Sequence, residues 1–192
     1  MDEQTAIARA RDGDVAAFER LVRLYETRVY TLALRMTGDP TDAFDVSQDA
    51  FLRLHNTIGS YRGESSFATW LYRLTTNIAL DFLRKRKRRD AHEVPLSALG
   101  DGDPDIPDPD TPELALERSA LRESLQDALD TLTPEHRQIL LLREIGGLSY
   151  EEIAEALDLE PGTVKSRLAR AREQMRTRLI SSGNIPGGSN VK

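Results

Sequence analysis

The sequence predicts an all-α fold: two small helical domains joined by a flexible acidic linker. Three observations carry this. Apolar residues recur at steps of three and four through most of the chain, and no stretch alternates with period two long enough for a strand. Residues 91–117 break that periodicity with Pro95, Pro104, Pro107, Pro109 and Pro112, and hold eight Asp and Glu but no Lys or Arg. Such a composition buries little apolar surface and reads as an extended tether. Hydrophobic residues make up 39% of the 192, enough for a packed core on each side of it. The domains then span 1–90 and 118–183, with 184–192 as a disordered tail.

Each helix has its own signals. Over residues 15–36, Phe18, Val22, Tyr25, Val29, Leu32 and Met36 form one stripe, and Gly38 stops it. Asp39-Pro40 opens a second helix that runs to about Thr57, with Asp as N-cap and Pro in the first turn. Its apolar side holds Ala43, Val46, Ala50, Phe51 and Leu54, while Asp42, Asp45, Gln48 and Asp49 project elsewhere. A polar loop follows over residues 59–66, punctuated by Gly59 and Gly63. Ser65 or Ser66 caps a third helix with Phe67, Leu71, Leu74, Ile78 and Phe82 as its stripe and a basic run, Arg84 to Arg89, at its end. Beyond the linker, helix resumes through Leu121, Leu125, Ala128 and Leu132. Thr133-Pro134 caps the next one, which ends at Gly146-Gly147.

The last segment, Leu148 to Leu179, reads as a helix-turn-helix. Ser149 and Glu152 form a capping box, and Ile153, Ala154 and Leu157 give the first helix its apolar face. Asp158 stands at the turn, where a left-handed backbone usually favours Gly and tolerates Asp. Pro161 suits a new first turn. Val164, Leu168, Ala171, Met175 and Leu179 then make a buried stripe, against an outer face with Lys165, Arg167, Arg170, Arg172, Arg176 and Arg178 and one acid, Glu173. A short capped helix across a basic amphipathic one is the layout that places its second helix in a DNA major groove.

A net charge of −6 looks wrong for a nucleic-acid binder. Its distribution removes the conflict, because residues 1–90 hold 15 basic and 13 acidic residues and residues 118–180 hold 10 and 11. The acidity sits largely in the linker. Cysteine is absent, which excludes disulfides and thiolate metal sites. His55, His92 and His136 are scattered, and the run Asp101-Gly-Asp103-Pro-Asp105 lacks the sixth-position Gly and twelfth-position Glu of a calcium loop, having Ile106 and Pro112 there. No metal and no cofactor is expected. With no apolar run of eighteen and no apolar signal core at its start, the chain reads as cytoplasmic, with no membrane insertion.

A second nucleic-acid element is suggested by Tyr61 and Arg62 on the Gly-flanked loop and by Trp70, Arg73, Asn77 and Arg84 on the third helix. Aromatic rings interleaved with guanidiniums and amides suit single-stranded bases, each stacking contact contributing about 1–3 kcal/mol. The acidic face Asp42, Asp45 and Asp49 fits a metal-dependent site, a docking face for a basic partner, or a solvated surface. No general base or phosphate-cradling Gly loop accompanies it, so catalysis is not expected. These residues alone leave open a stand-alone helix-turn-helix regulator that binds duplex operators.

Three stretches resemble bacterial sigma factors of the extracytoplasmic-function type. The segment DAFDVSQDAFLRLH (Asp42 to His55) looks like the part of region 2 that binds core RNA polymerase. Ser65 to Arg89 looks like the part that recognises and melts the −10 promoter element, and Leu132 to Arg172 looks like region 4, which reads the −35 element. The resemblance covers about residues 14–90 and 118–180.

The resemblance implies roles. Asp42, Asp45, Gln48 and Asp49 would face the coiled coil of the polymerase's largest subunit, with the polymerase flap as a further contact of the chain. Tyr61 and Arg62 would hold a base flipped from the −10 strand, with Arg73, Asn77, Arg84 and Lys85 following the adjacent strand. Thr163, Lys165, Ser166, Arg167 and Arg170 would face the −35 major groove, where a good Arg or Lys contact to guanine discriminates by about 1–3 kcal/mol. The linker would lie in the polymerase channel that later carries RNA. An anti-sigma factor is the further partner implied.

Overall fold

The computed structural model describes residues 1–90 and 112–182. Most of the predicted linker, residues 91–111, and all but the first residue after the last helix lie outside the described residues, as does the tail 184–192. Among the described residues there are eight α-helices and no strand. The first four are α1 (Glu3–Arg11), α2 (Val15–Thr37), α3 (Pro40–Thr57) and α4 (Phe67–Asp90). The second four are α5 (Pro112–Asp130), α6 (Pro134–Glu144), α7 (Tyr150–Leu157) and α8 (Pro161–Ser181).

Local chemistry sets the boundaries. Asp14 accepts from the Ala17 N–H and Asp39 from the Asp42 N–H, and α2 ends on Gly38 in the left-handed region with φ of 77°. Ser66 caps α4 by accepting from the Thr69 N–H at 3.0 Å. Two boundaries differ from the sequence reading. Helix α1 lies ahead of the first predicted helix, capped by Asp2 and buried through Ala6, Ile7 and Ala10. Helix α5 begins at Pro112, six residues before the predicted boundary at 118, because Pro is well placed in a first turn whatever its acidic neighbours.

Helices α2, α3 and α4 pack as a bundle with α1 across one end, and α5 to α8 form the second half. The apolar stripe of α2 is buried as predicted through Tyr25, Val29, Leu32 and Met36. That of α4 is not one stripe. Phe67 and Leu71 are buried, but Leu74, Ile78 and Phe82 are half-buried along an open groove. Tyr72, Thr75, Thr76 and Ala79 are fully buried instead. The reason is that α4 has neighbours on two sides: α2 and α3, and α6 and α7 of the second half.

The two halves therefore touch, and one continuous set of buried side chains runs from Ala6 to Ala171. Arg137 on α6 is the central tie. Its Nε donates to the Leu129 carbonyl at 3.0 Å, its Nη1 to the Met36 carbonyl of α2 at 2.7 Å, and its Nη2 lies 2.8 Å from Asp130. Gly146 follows at the α6–α7 turn. A Cβ there would lie 2.5 Å from the Leu142 carbonyl oxygen and 3.2 Å from the Tyr72 ring, so the turn approaches α4 only because the side chain is absent.

Candidate nucleic-acid interface

The helix-turn-helix forms from the predicted signals. Ser149 Oγ accepts from the Glu152 N–H at 3.1 Å, and Glu152 accepts from the Ser149 N–H at 2.8 Å, closing the capping box. Asp158 takes the left-handed turn at φ 53°. Val164, Leu168, Ala171 and Leu179 of α8 are buried, with Met175 packed beside them.

The basic face of α8 divides along its length. Toward the C-terminal end, Arg172 pairs with Glu144 at 2.7 Å, Arg176 with Glu173 at 3.9 Å and Arg178 with Asp127 at 3.8 Å. Lys165, Arg167 and Arg170, in the first three turns, form no ion pair among the described residues. Lys165 and Arg170 are exposed and Arg167 is half-buried. Thr163 is half-buried, and the exposed Ser166 donates its hydroxyl to the Thr163 carbonyl at 3.0 Å, so both are partly engaged by their own helix. Unneutralised cations in the first turns of the second helix are what a groove-reading helix needs.

The loop between α3 and α4 is built on aromatic contacts. The Tyr61 hydroxyl donates to the Ser65 carbonyl at 2.7 Å. Its ring meets Phe67 edge-on at 5.5 Å and lies 5.3 Å from Trp70 at 35°. Tyr61 thus shapes the loop as well as facing it, and burial pushes its hydroxyl above the ordinary pKa. Arg62 is exposed. Beside them Ser60, Tyr61, Arg62, Ser65, Trp70 and Arg73 line a pocket of about 260 Å³.

Asn77 and Arg84 lie farther along α4, exposed and facing a different opening. Lys85 lies toward the groove between α3 and α4. That groove, of about 570 Å³, has Leu74, Ile78 and Phe82 at its base and Asp49, Leu52 and Asp81 among its walls.

On α3, Asp45, Gln48 and Asp49 are exposed. Asp42 is not free. It accepts from Arg86 of the basic run at 2.6 Å, and burial raises its carboxyl pKa, partly countered by Arg86 and reinforced by Asp39 and Asp45. Sequence reasoning missed two exposed apolar residues on this helix, Phe44 and Leu52, at 57% and 61% exposure. The missed signal was that both stand off the predicted buried stripe. No group of three or more potential metal ligands occurs among the described residues, and no described helix is long and apolar enough to cross a membrane.

Comparison with known proteins gives these surfaces a family. The Sigma-70 region 2 description matches residues 21–89, and the Sigma-70, region 4 description matches residues 122–175. The chain is 37% identical over 174 residues to the RNA polymerase sigma-H factor of Pseudomonas aeruginosa, covering 89% of this chain and 90% of that one. It is 37% identical to the ECF RNA polymerase sigma-E factor of Haemophilus influenzae, covering 93% of this chain and 96% of the relative. Among solved structures, CnrH in complex with the cytosolic domain of CnrY aligns with a TM-score of 0.66 at 25% identity, covering 94% of this chain and 99% of CnrH. The sigma factor RpoE of Bartonella quintana, solved with the anti-sigma factor NepR, shares the fold with a TM-score of 0.67 at 23% identity, over 86% of this chain and 98% of that one. The chain therefore belongs to the extracytoplasmic-function (ECF) RNA polymerase sigma factors of the sigma-70 family, proteins of transcription initiation.

Proposed function

We propose that this chain gives core RNA polymerase two promoter contacts, α8 reading the −35 duplex and the α3–α4 loop with α4 capturing the melted −10 strand. The observation that carries the reading is the division of α8, where Lys165, Arg167 and Arg170 are left unpaired while Arg172, Arg176 and Arg178 are neutralised. Thr163 and Ser166 flank these cations on the same first turns. For the −10 strand, Tyr61, Arg62, Trp70 and Arg73 surround a pocket that suits a planar base between rings and guanidiniums. Asn77, Arg84 and Lys85 would follow the strand beyond it.

Core polymerase docks on α3. Asp45, Gln48 and Asp49 offer an exposed polar and acidic face for the basic coiled coil of the largest subunit, and Leu52 beside an apolar groove offers an anchor. Asp42 contributes through its pairing with Arg86. Residues 1–90 and 118–183 act as the two DNA-contacting units and 91–117 as their connection. An anti-sigma factor is the expected regulator, as the sigma factor RpoE of Bartonella quintana was solved with the anti-sigma factor NepR and CnrH with the cytosolic domain of CnrY. The chain performs no catalysis itself.

The test is transcription on genomic fragments by bacterial core polymerase with and without the protein, with 5′-end sequencing of the products. Discrete new start sites sharing two upstream elements are expected. Identical transcripts with core alone sink the reading. Changing Arg167 to Ala should relax selection at one −35 position, whereas Arg73→Ala should reduce promoter opening without altering −35 choice.

A further inference from the structure

The loop proposed to hold the captured base, residues 61–66, has no regular structure of its own. It lies between the short 3₁₀ turn Ile58–Ser60 and the start of α4 at Phe67. A pocket for a planar base needs its walls fixed before the base arrives, because ordering them on capture subtracts from the stacking energy.

Helix α1 is the element placed to fix them. It lies ahead of residue 21, where the Sigma-70 region 2 match begins. Two paths run from it, one to each end of the loop. At the near end, α1 packs directly against the turn Ile58–Ser60. At the far end, Glu3 Oε1 accepts from the Tyr25 hydroxyl at 3.0 Å. The Tyr25 ring lies 5.5 Å from that of Phe67. Phe67 in turn meets Tyr61 at 5.5 Å and Trp70 at 6.0 Å. Tyr25 and Phe67 are buried, while Tyr61 and Trp70 are half-buried at the pocket. Ile7 of α1, also buried, lines the same cleft as Phe67.

Tyr61 feels α1 directly as well. Burial first, then the Glu3 carboxylate, raises its hydroxyl pKa, and Arg11 opposes them. Between the two ends an open cleft of about 580 Å³, with Gln4 and Arg11 on the α1 side and Arg62 and Ser65 on the loop side, leaves the middle of the loop unsupported. The helix is itself anchored, since Asp2 caps it and Arg9 donates through Nε to Asp14 at 2.7 Å.

We infer that α1 braces the base-capturing loop: Glu3 and Ile7 are positioning residues that hold the two ends of the loop, so that Tyr61 and Trp70 stand in place before the strand arrives. This rests on the capture of a −10 base by that loop, as proposed above.

Trp70 is the chain's one tryptophan, so its emission reads the pocket wall in the free full-length protein. Acrylamide should quench it more strongly in Glu3→Ala and in Ile7→Ala than in the parent chain. Glu3→Gln keeps a carbonyl acceptor for Tyr25 and should stay near the parent. With bacterial core polymerase, abasic sites along the non-template strand locate the −10 base whose removal slows promoter opening most in the parent. The penalty for that abasic site should shrink about threefold in Glu3→Ala, the effect of one modest hydrogen bond, and further in Ile7→Ala, and Glu3→Gln should restore most of it. Affinity for core polymerase and the response to −35 substitutions should match the parent, a selectivity that general destabilisation would not give. Should Ile7→Ala lose helix by circular dichroism, Glu3→Ala, at an exposed position, carries the test.

Quenching and abasic penalty equal to the parent's in both Ala variants overturn the inference, and so does a loss shared equally by the −35 response. Glu3→Gln as damaged as Glu3→Ala overturns it too. A parent chain that initiates and shows the abasic penalty, matched by its α1 variants, overturns this inference alone. A parent with no abasic penalty at any −10 position overturns the proposed strand capture with it.

Discussion

Replacing Arg137 by Met tests the tie between the halves most directly. The guanidinium is buried at 8% exposure and reaches three oxygens on α5 and α2. Desolvation lowers its pKa from the ordinary arginine value, and Asp130 opposes that effect. The three contacts are unequal. Asp130 is half exposed, so solvent screens that pair to about 0.5–1 kcal/mol. The Leu129 carbonyl keeps the Leu132 N–H at 3.0 Å. The Met36 carbonyl, in the last turn of α2, has no intrahelical donor to replace Arg137. Met restores apolar volume but donates nothing, so the expected loss is roughly 2–4 kcal/mol, or about 10 °C in melting temperature for a chain of this size. Lys keeps one donor and the charge, and should lose about half as much. Asp130→Asn should cost under about 1 kcal/mol. Urea and thermal unfolding followed by circular dichroism decide this. A Met variant that melts with the wild type refutes the reasoning, as does an Asn variant at Asp130 that is equally damaged.

Three further outcomes are expected. Asp158→Gly relieves the left-handed backbone at φ 53° and should stabilise the protein by about 0.5–1 kcal/mol, read as a higher urea midpoint with unchanged slope. The Ser149 N–H, then the Thr69 and Ser149 hydroxyls, hold the Glu152 carboxyl below the usual 4.5, so the stabilisation it contributes is complete above that value and is lost as pH falls through the lower folded value. Ser149→Ala should cost about 1 kcal/mol at pH 7 but keeps the main-chain N–H, whereas Glu152→Gln should flatten the dependence of the urea midpoint on pH below about 4.5. Asp45→Lys with Asp49→Lys should weaken core-polymerase binding by about tenfold or more, mainly through slower association, while leaving the melting temperature within about 2 °C because both side chains are exposed.

The parts of the fold legible in the sequence were those whose signals are local. The capping box at Ser149, the stripe Val164 to Leu179, the stop at Gly38 and the cap-and-proline start at Asp39 are each decided within a few residues. Helix α1 was missed because its buried side is mostly alanine, Ala6 and Ala10 around Ile7, which gives little hydrophobic contrast. The start of α5 was masked by a composition shared with the acidic linker. The contact between halves was illegible for a deeper reason. It is made by Thr69, Thr76, Arg137 and Gln138, types that hydrophobic periodicity assigns to surface, and their burial depends on a partner more than sixty residues away. The split stripe of α4 follows from the same contact, since a helix with two packed sides no longer has one apolar face. For the interface, the cations of α8 were readable as a set, but their division into paired and unpaired groups required the positions of Glu144 and Asp127.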